Sequence, residues 1–419
     1  MSNVLFEHPA DIVGYSRLAI AAVLGLTDLV ETAHQNIALS PGVFGQPAQG
    51  ATPGITGLVY KTIRGITELV GSGIDTASSP LLWWMNGDVT STREREATLA
   101  VLNGIVGDHL AATASPLAIP MQLRRQGLAL KLQTDALAAA IPRLTSKPLI
   151  LVHGLCLSDL QWFRHGHDHG VDLSRDLGYT AVYLHYNTGM HISHNGREFA
   201  GLLEALVEQW PIPVTELAIV GHSMGGLVAR SAYYYGCRAG HRWPQHLRKL
   251  VFLGTPHHGA LLERWGNLIN VGLDCSPYTT AFAGLGKIRS AGITDLRYGN
   301  LLDEDWQGWD RFAHVGDRRL PLQLPAQVRC HTIAALKAKG LTPASDALGD
   351  GVVPVSSALG WHRDSGRRLA FKRECQWVAF ERDHFDLLND AAVYQHIRSW
   401  LAARGGRRTN TNLHHVQQS

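Results

Sequence analysis

The chain has 419 residues, of which 45% are hydrophobic and 17% charged, and its formal net charge is +3. That length supports one large α/β domain with a buried core plus an additional region. So small a charge, with no basic block beyond residues 404–408, excludes nucleic acid as a partner.

Five cysteines, Cys156, Cys237, Cys275, Cys330 and Cys375, are odd in number and lack paired spacing, which points to free thiols in a reducing compartment. Residues 1–11 carry acids and a proline where a secretory leader would be basic. The first apolar stretch, 18–27, is half the length needed to span a bilayer. The expectation is a soluble cytoplasmic protein, with peripheral contact to a lipid interface as an open alternative.

Residues 1–145 are expected to form an N-terminal helical region. Apolar residues recur at helical spacing over 15–37, over 55–74 and over 93–110, the last opened by Thr90, Ser91 and Thr92 as a cap. A proline- and glycine-rich loop covers 38–53. The region holds 9 basic and 11 acidic residues, so it is no basic membrane arm, and it reads as a helical layer packed on or capping the catalytic domain. Residues 126–132 read as an edge strand.

From 148 onward strands alternate with helices, the pattern of a doubly wound, mainly parallel sheet. Strands are expected at 148–153, 179–185, 215–220, 248–253, 328–334 and 375–380. The stretch 259–324 is too long for a connection and is rich in aromatic residues, so it reads as a helical lid. The sheet domain is thus placed at 146–404, and a polar disordered tail at 405–419.

The chemistry centres on residues 221–226, Gly-His-Ser-Met-Gly-Gly, between the strand ending at Val220 and an apolar helical run from Leu227. This is the nucleophile-elbow pattern, which holds a serine hydroxyl out of the sheet at a tight strand-to-helix turn. Ser223 is therefore the candidate nucleophile. His153-Gly154-Leu155 follows the first strand of the alternating series, so the amide of Leu155 can face the elbow, with the amide of Met224 as second oxyanion donor. Asp350, on a glycine-flanked turn beyond the strand 328–334, is the candidate acid, with Asp346 as its competitor. His384, after the last strand, is the candidate base. His257, His258 and His331 precede the acid and break the order nucleophile, acid, histidine. Asp383 and Asp386 lie too near His384 along the chain to serve as its acid. The cluster His165, His167, Asp168 and His169 reads as a solvated loop rather than a metal site. No cofactor or metal is required.

These residues resemble the lipase and esterase branch of the α/β-hydrolase superfamily over about 148–403. Gly254-Thr255-Pro256-His257-His258-Gly259 and Asp350-Gly351-Val352-Val353 are similar to segments of bacterial triacylglycerol lipases. Tyr186-Asn187-Thr188-Gly189 with His191-Ile192-Ser193 is similar to the inositol-deacylase-like lipases. The resemblance implies an α/β-hydrolase fold and hydrolysis of a small-molecule or lipid carboxylic ester through Ser223, His384 and Asp350. An acyltransferase, thioesterase or amidase would use the same triad, and a noncatalytic lipid-binding scaffold is the alternative from another class.

Overall fold

In a computed structural model, the described residues are 93–260, 289–311 and 316–403, with Gly14, Arg17, Leu18 and Ile20. The helix expected over 55–74, nearly all of that over 15–37, the cap at 90–92, the tail 405–419 and Cys275 lie outside the described residues. So do 261–288 and 312–315 of the expected lid. The described residues fall into two compact units, one holding 93–120, 186–191 and 289–294, the other the sheet and its helices.

In the first unit, α1 (Arg93–Ala112) is kinked at Val106, where φ is −132° and ψ 19°. Residues 98–107 are buried without a break, so the helix expected to be amphipathic is enclosed on all sides. Asn103 ties the segment after the helix back onto it. Its side chain donates to the carbonyls of Leu99 and Leu117 and accepts from the amide of Ile119. Asn187 donates to the carbonyl of Gly107 at 2.8 Å.

The second unit is built on an eight-stranded sheet. Its strands are β1 (Gln122–Arg125), β2 (Leu128–Ala129), β3 (Pro148–Val152), β4 (Thr180–His185), β5 (Leu217–His222), β6 (Leu247–Leu253), β7 (Arg329–Leu336) and β8 (Gln376–Phe380). They lie in the order β2-β1-β4-β3-β5-β6-β7-β8. β1 is antiparallel to β2 and β4, and every other pairing is parallel. β3, β4 and β5 are buried at every position, as strands covered on both faces must be, and this is why they read as unbroken apolar runs. The expected edge strand over 126–132 is present as β2, which forms a short hairpin with β1. The hairpin turns at Gln126 and Gly127, both at positive φ, and its paired residues begin at Gln122. Residues 122–129, which a boundary at 145 leaves in the N-terminal region, therefore pair with the sheet.

The helices are α2 (Thr134–Ala140), α3 (His169–Leu177), α4 (Ile192–Gln209), α5 (Met224–Arg238), α6 (Ala291–Asp295), α7 (Pro343–Leu348), α8 (Val355–Ala358) and α9 (Ala391–Ala402). After β3 the chain steps outward to β4, then crosses back to place β5 on the other side of β3. The C-terminal ends of β3 and β5 thus flank a topological switch point, where sheets of this kind form their crevices. Within the expected lid, the described residues contain only α6 and a short 3-10 turn, Asp303–Asp305. Cys330 and Cys375 stand at the starts of the neighbouring strands β7 and β8 as free thiols, and Cys237 is also free.

Candidate active site

β5 ends at His222 and α5 begins at Met224, so the turn between them is Ser223 alone, with φ 55° and ψ −126°. A non-glycine residue in this region costs on the order of 1–3 kcal/mol and persists only where its surroundings enforce it. Here the Ser223 amide donates to the carbonyl of Leu253 at 2.7 Å, and its carbonyl accepts from Gly226. Close packing also requires the glycines: a Cβ on Gly225 would fall 2.3 Å from the carbonyl oxygen of Val152, and one on Gly154 would fall 2.8 Å from Ser223 Cβ. Ser223 is 1% exposed, and its Oγ makes no hydrogen bond.

Leu155 lies in the turn after β3, closed by Leu157 donating to the carbonyl of Gly154. Met224 is the first residue of α5, whose leading amides have no intrahelical acceptor and receive no cap from the Ser223 side chain. Both residues are buried within the same region as Ser223. Burial drives the pKa of His153 down to about 3, so this imidazole is neutral, and its Nδ1 donates to the carbonyl of Gly154.

Asp350 sits on the turn beyond β7 and α7, between Gly349 and Gly351 at positive φ. Its Oδ1 accepts from the amides of Val352 and Val353, at 2.9 and 2.8 Å. Its Oδ2 accepts from His384 Nδ1 at 2.6 Å, with both side chains buried. The structure therefore brings Asp350 and His384 together across 34 residues of sequence. Because Nδ1 donates, Nε2 is the basic nitrogen of His384.

The competitors are engaged elsewhere. Asp346 accepts from the amide and hydroxyl of Ser356, while Asp383 accepts from the amides of Phe385 and Asp386. Asp386 accepts from the amide of Asp383. His257 accepts from Arg230, His258 donates to the carbonyl of Gly360, and His331 stacks on Trp400.

Two histidines beyond the candidate set fix the loop that carries His384. His222 Nε2 donates to the carbonyl of His384 at 3.0 Å, and His169 Nε2 donates to the carbonyl of Leu387 at 2.9 Å. Burial, and secondarily the neighbouring His384, hold the pKa of His222 well below the usual histidine range. His169 corrects the reading of its cluster as a solvated loop. Asp168 caps α3, and this draws His169 into the first turn, where it is fully buried and takes a hydrogen bond from His167. His165 is exposed. The sequence signal for His222 was its place between the elbow glycine and serine, at the inward end of β5.

Residues 143–316 match a family model described as a PGAP1-like alpha/beta domain. With the sheet order above, the domain is an α/β-hydrolase fold. No curated protein matches the chain. Among solved structures, it is similar to the mature lipase BlEst2 of Bacillus licheniformis, at 19% identity over 61% of this chain and 91% of that one, with a TM-score of 0.39. The esterase Pf2001 of Pyrococcus furiosus is 13% identical over 61% of this chain and 79% of its own, with a TM-score of 0.34. Phospholipase PlaB of Legionella pneumophila is 16% identical over 51% and 45%, with a TM-score of 0.29.

Proposed function

We propose that the protein is a serine hydrolase of carboxylic esters, with Ser223 as nucleophile, His384 as base and Asp350 as the acid that orients it. The observations that carry this reading are the 2.6 Å hydrogen bond from His384 Nδ1 to Asp350 and a buried serine held at φ 55° in the strand-to-helix turn. Strain of that kind clusters at active sites, where it is part of the mechanism.

In this mechanism His384 Nε2 takes the Ser223 proton as Oγ bonds to the ester carbonyl carbon. The amides of Leu155 and Met224 receive the oxyanion. The carbonyl re-forms, the C–O bond to the alcohol breaks, and the alcohol leaves with the proton from His384. Water, deprotonated by the same nitrogen, then releases the acid and restores Ser223.

The test is labelling by a fluorophosphonate probe together with turnover of p-nitrophenyl esters of graded acyl length. Labelling and turnover are expected in the native chain and in neither Ser223→Ala nor His384→Ala. A folded native chain that takes no label, or equal labelling of Ser223→Ala, would overturn the proposal. The acyl length giving the highest kcat/KM separates lipase from short-chain esterase.

A further inference from the structure

We propose that a pocket between α5, the His257–His258 turn and the segment 319–322 is a binding site for a carboxylate group, held by Arg230. Arg230, His257, His258, Asp305, Arg319 and Arg367 line it. Ser223, His384 and Asp350 do not line it, and it does not depend on the proposed hydrolysis.

Arg230 is 4% exposed, yet among the described residues no carboxylate lies within ion-pair distance of it. Its Nη2 donates to the carbonyl of Leu322 and its Nη1 to His257 Nδ1, but its Nε–H has no acceptor. The bond to Nδ1 also fixes the His257 tautomer, leaving its proton on Nε2. That nitrogen is likewise buried without a partner. A buried cation with no carboxylate partner thus lines the pocket, an arrangement that calls for an anionic acceptor.

The neighbouring groups do not supply one. Asp317 is taken by Arg319, which binds it through Nε and Nη2, and by Arg367 at 3.3 Å. The remaining Arg319 nitrogen donates to the carbonyls of His257 and Gly299. Asp305 is committed to three amides, those of Leu301, Leu302 and Leu320. At the rim, Asp364 faces Arg367 at 3.5 Å.

The flat, two-oxygen face of a carboxylate matches the guanidinium fork.

The site is tested by isothermal titration of the Ser223→Ala protein, in which turnover is absent, with sodium formate and sodium acetate against sodium chloride at equal ionic strength. Saturable binding of formate and acetate in the millimolar range is expected, weakened at least tenfold in Arg230→Met. The absence of saturable binding would overturn the proposal, as would equal binding by a folded Arg230→Met protein. Chloride or inorganic phosphate binding more tightly than formate would overturn the carboxylate assignment. Should Arg230→Met fail to fold, Arg367→Gln is expected to weaken formate binding several-fold, and unchanged binding in that variant would count against the site.

Discussion

The imidazole of His222 and the backbone of His384 are joined by a 3.0 Å hydrogen bond, with their rings 4.7 Å apart. The residue before the proposed nucleophile therefore holds the main chain of the proposed base. In His222→Leu the His384 carbonyl loses its buried donor, a loss of about 1–3 kcal/mol. We expect kcat to fall roughly tenfold or more with KM little changed, because only the placement of Nε2 is disturbed. His222→Gln, which can still donate, should recover part of the loss. Steady-state kinetics of the two variants check this, and equal kcat in both would remove the positioning role.

Asp350 offers one oxygen to backbone amides and the other to His384. In Asp350→Asn the amide oxygen can keep accepting from Val352 and Val353, so the turn is preserved. The new NH₂ then faces His384 Nδ1 and turns it from donor to acceptor, placing the ring proton on Nε2. A base in the wrong tautomer lowers kcat by roughly 10⁴-fold in such triads. The expected outcome is near-native thermal stability with ester turnover lost to that extent, measured by calorimetry and initial rates.

Gly154 has an ordinary backbone, so alanine there is not strained by its φ. Its Cβ would nevertheless fall 2.8 Å from Ser223 Cβ, pushing the turn that carries Leu155 away from the elbow. Gly154→Ala should destabilise the fold by about 1–3 kcal/mol, as overpacking does, and lower kcat by more than tenfold. Gly225→Ala meets the fixed carbonyl oxygen of Val152 at 2.3 Å and should be worse on both counts. Denaturation midpoints and kcat for the pair test the order.

The central strands were legible because burial on both faces leaves only apolar letters. β3 and β5 were expected at 148–153 and 215–220 and lie at Pro148–Val152 and Leu217–His222. At the edge, β2 lies within the expected 126–132 but is only two exposed residues, and its partner β1, joined through the turn at Gln126 and Gly127, was not legible. Ser223, Asp350 and His384 could be chosen as candidates because each follows a strand in a fixed order, and Asp350 and His384 do meet. The ties of His222 and His169 could not be read, because their bonds to the His384 loop span 162 and 218 residues, although the place of His222 in the elbow marks it as buried.

That burial has a consequence for pH. Desolvation lowers the pKa of His169 to about 4, against about 6.5 in an unfolded chain. Between these values the unfolded chain holds a proton that the folded protein lacks, so stability rises with pH across the window. It is lost as pH falls from 6.5 towards 4. The loss amounts to about 1.4 kcal/mol per pH unit for a single group. His153, lowered to about 3, acts in the same direction. Thermal midpoints should therefore drop steadily below pH 6.5. His169→Gln keeps a donor for the Leu387 carbonyl and removes the titration, so its midpoint should fall less steeply over pH 4–6.5, even if it starts lower at pH 8. Parallel slopes for the native chain and this variant would show that His169 becomes protonated without unfolding, and that its tie to Leu387 does not depend on its neutral form.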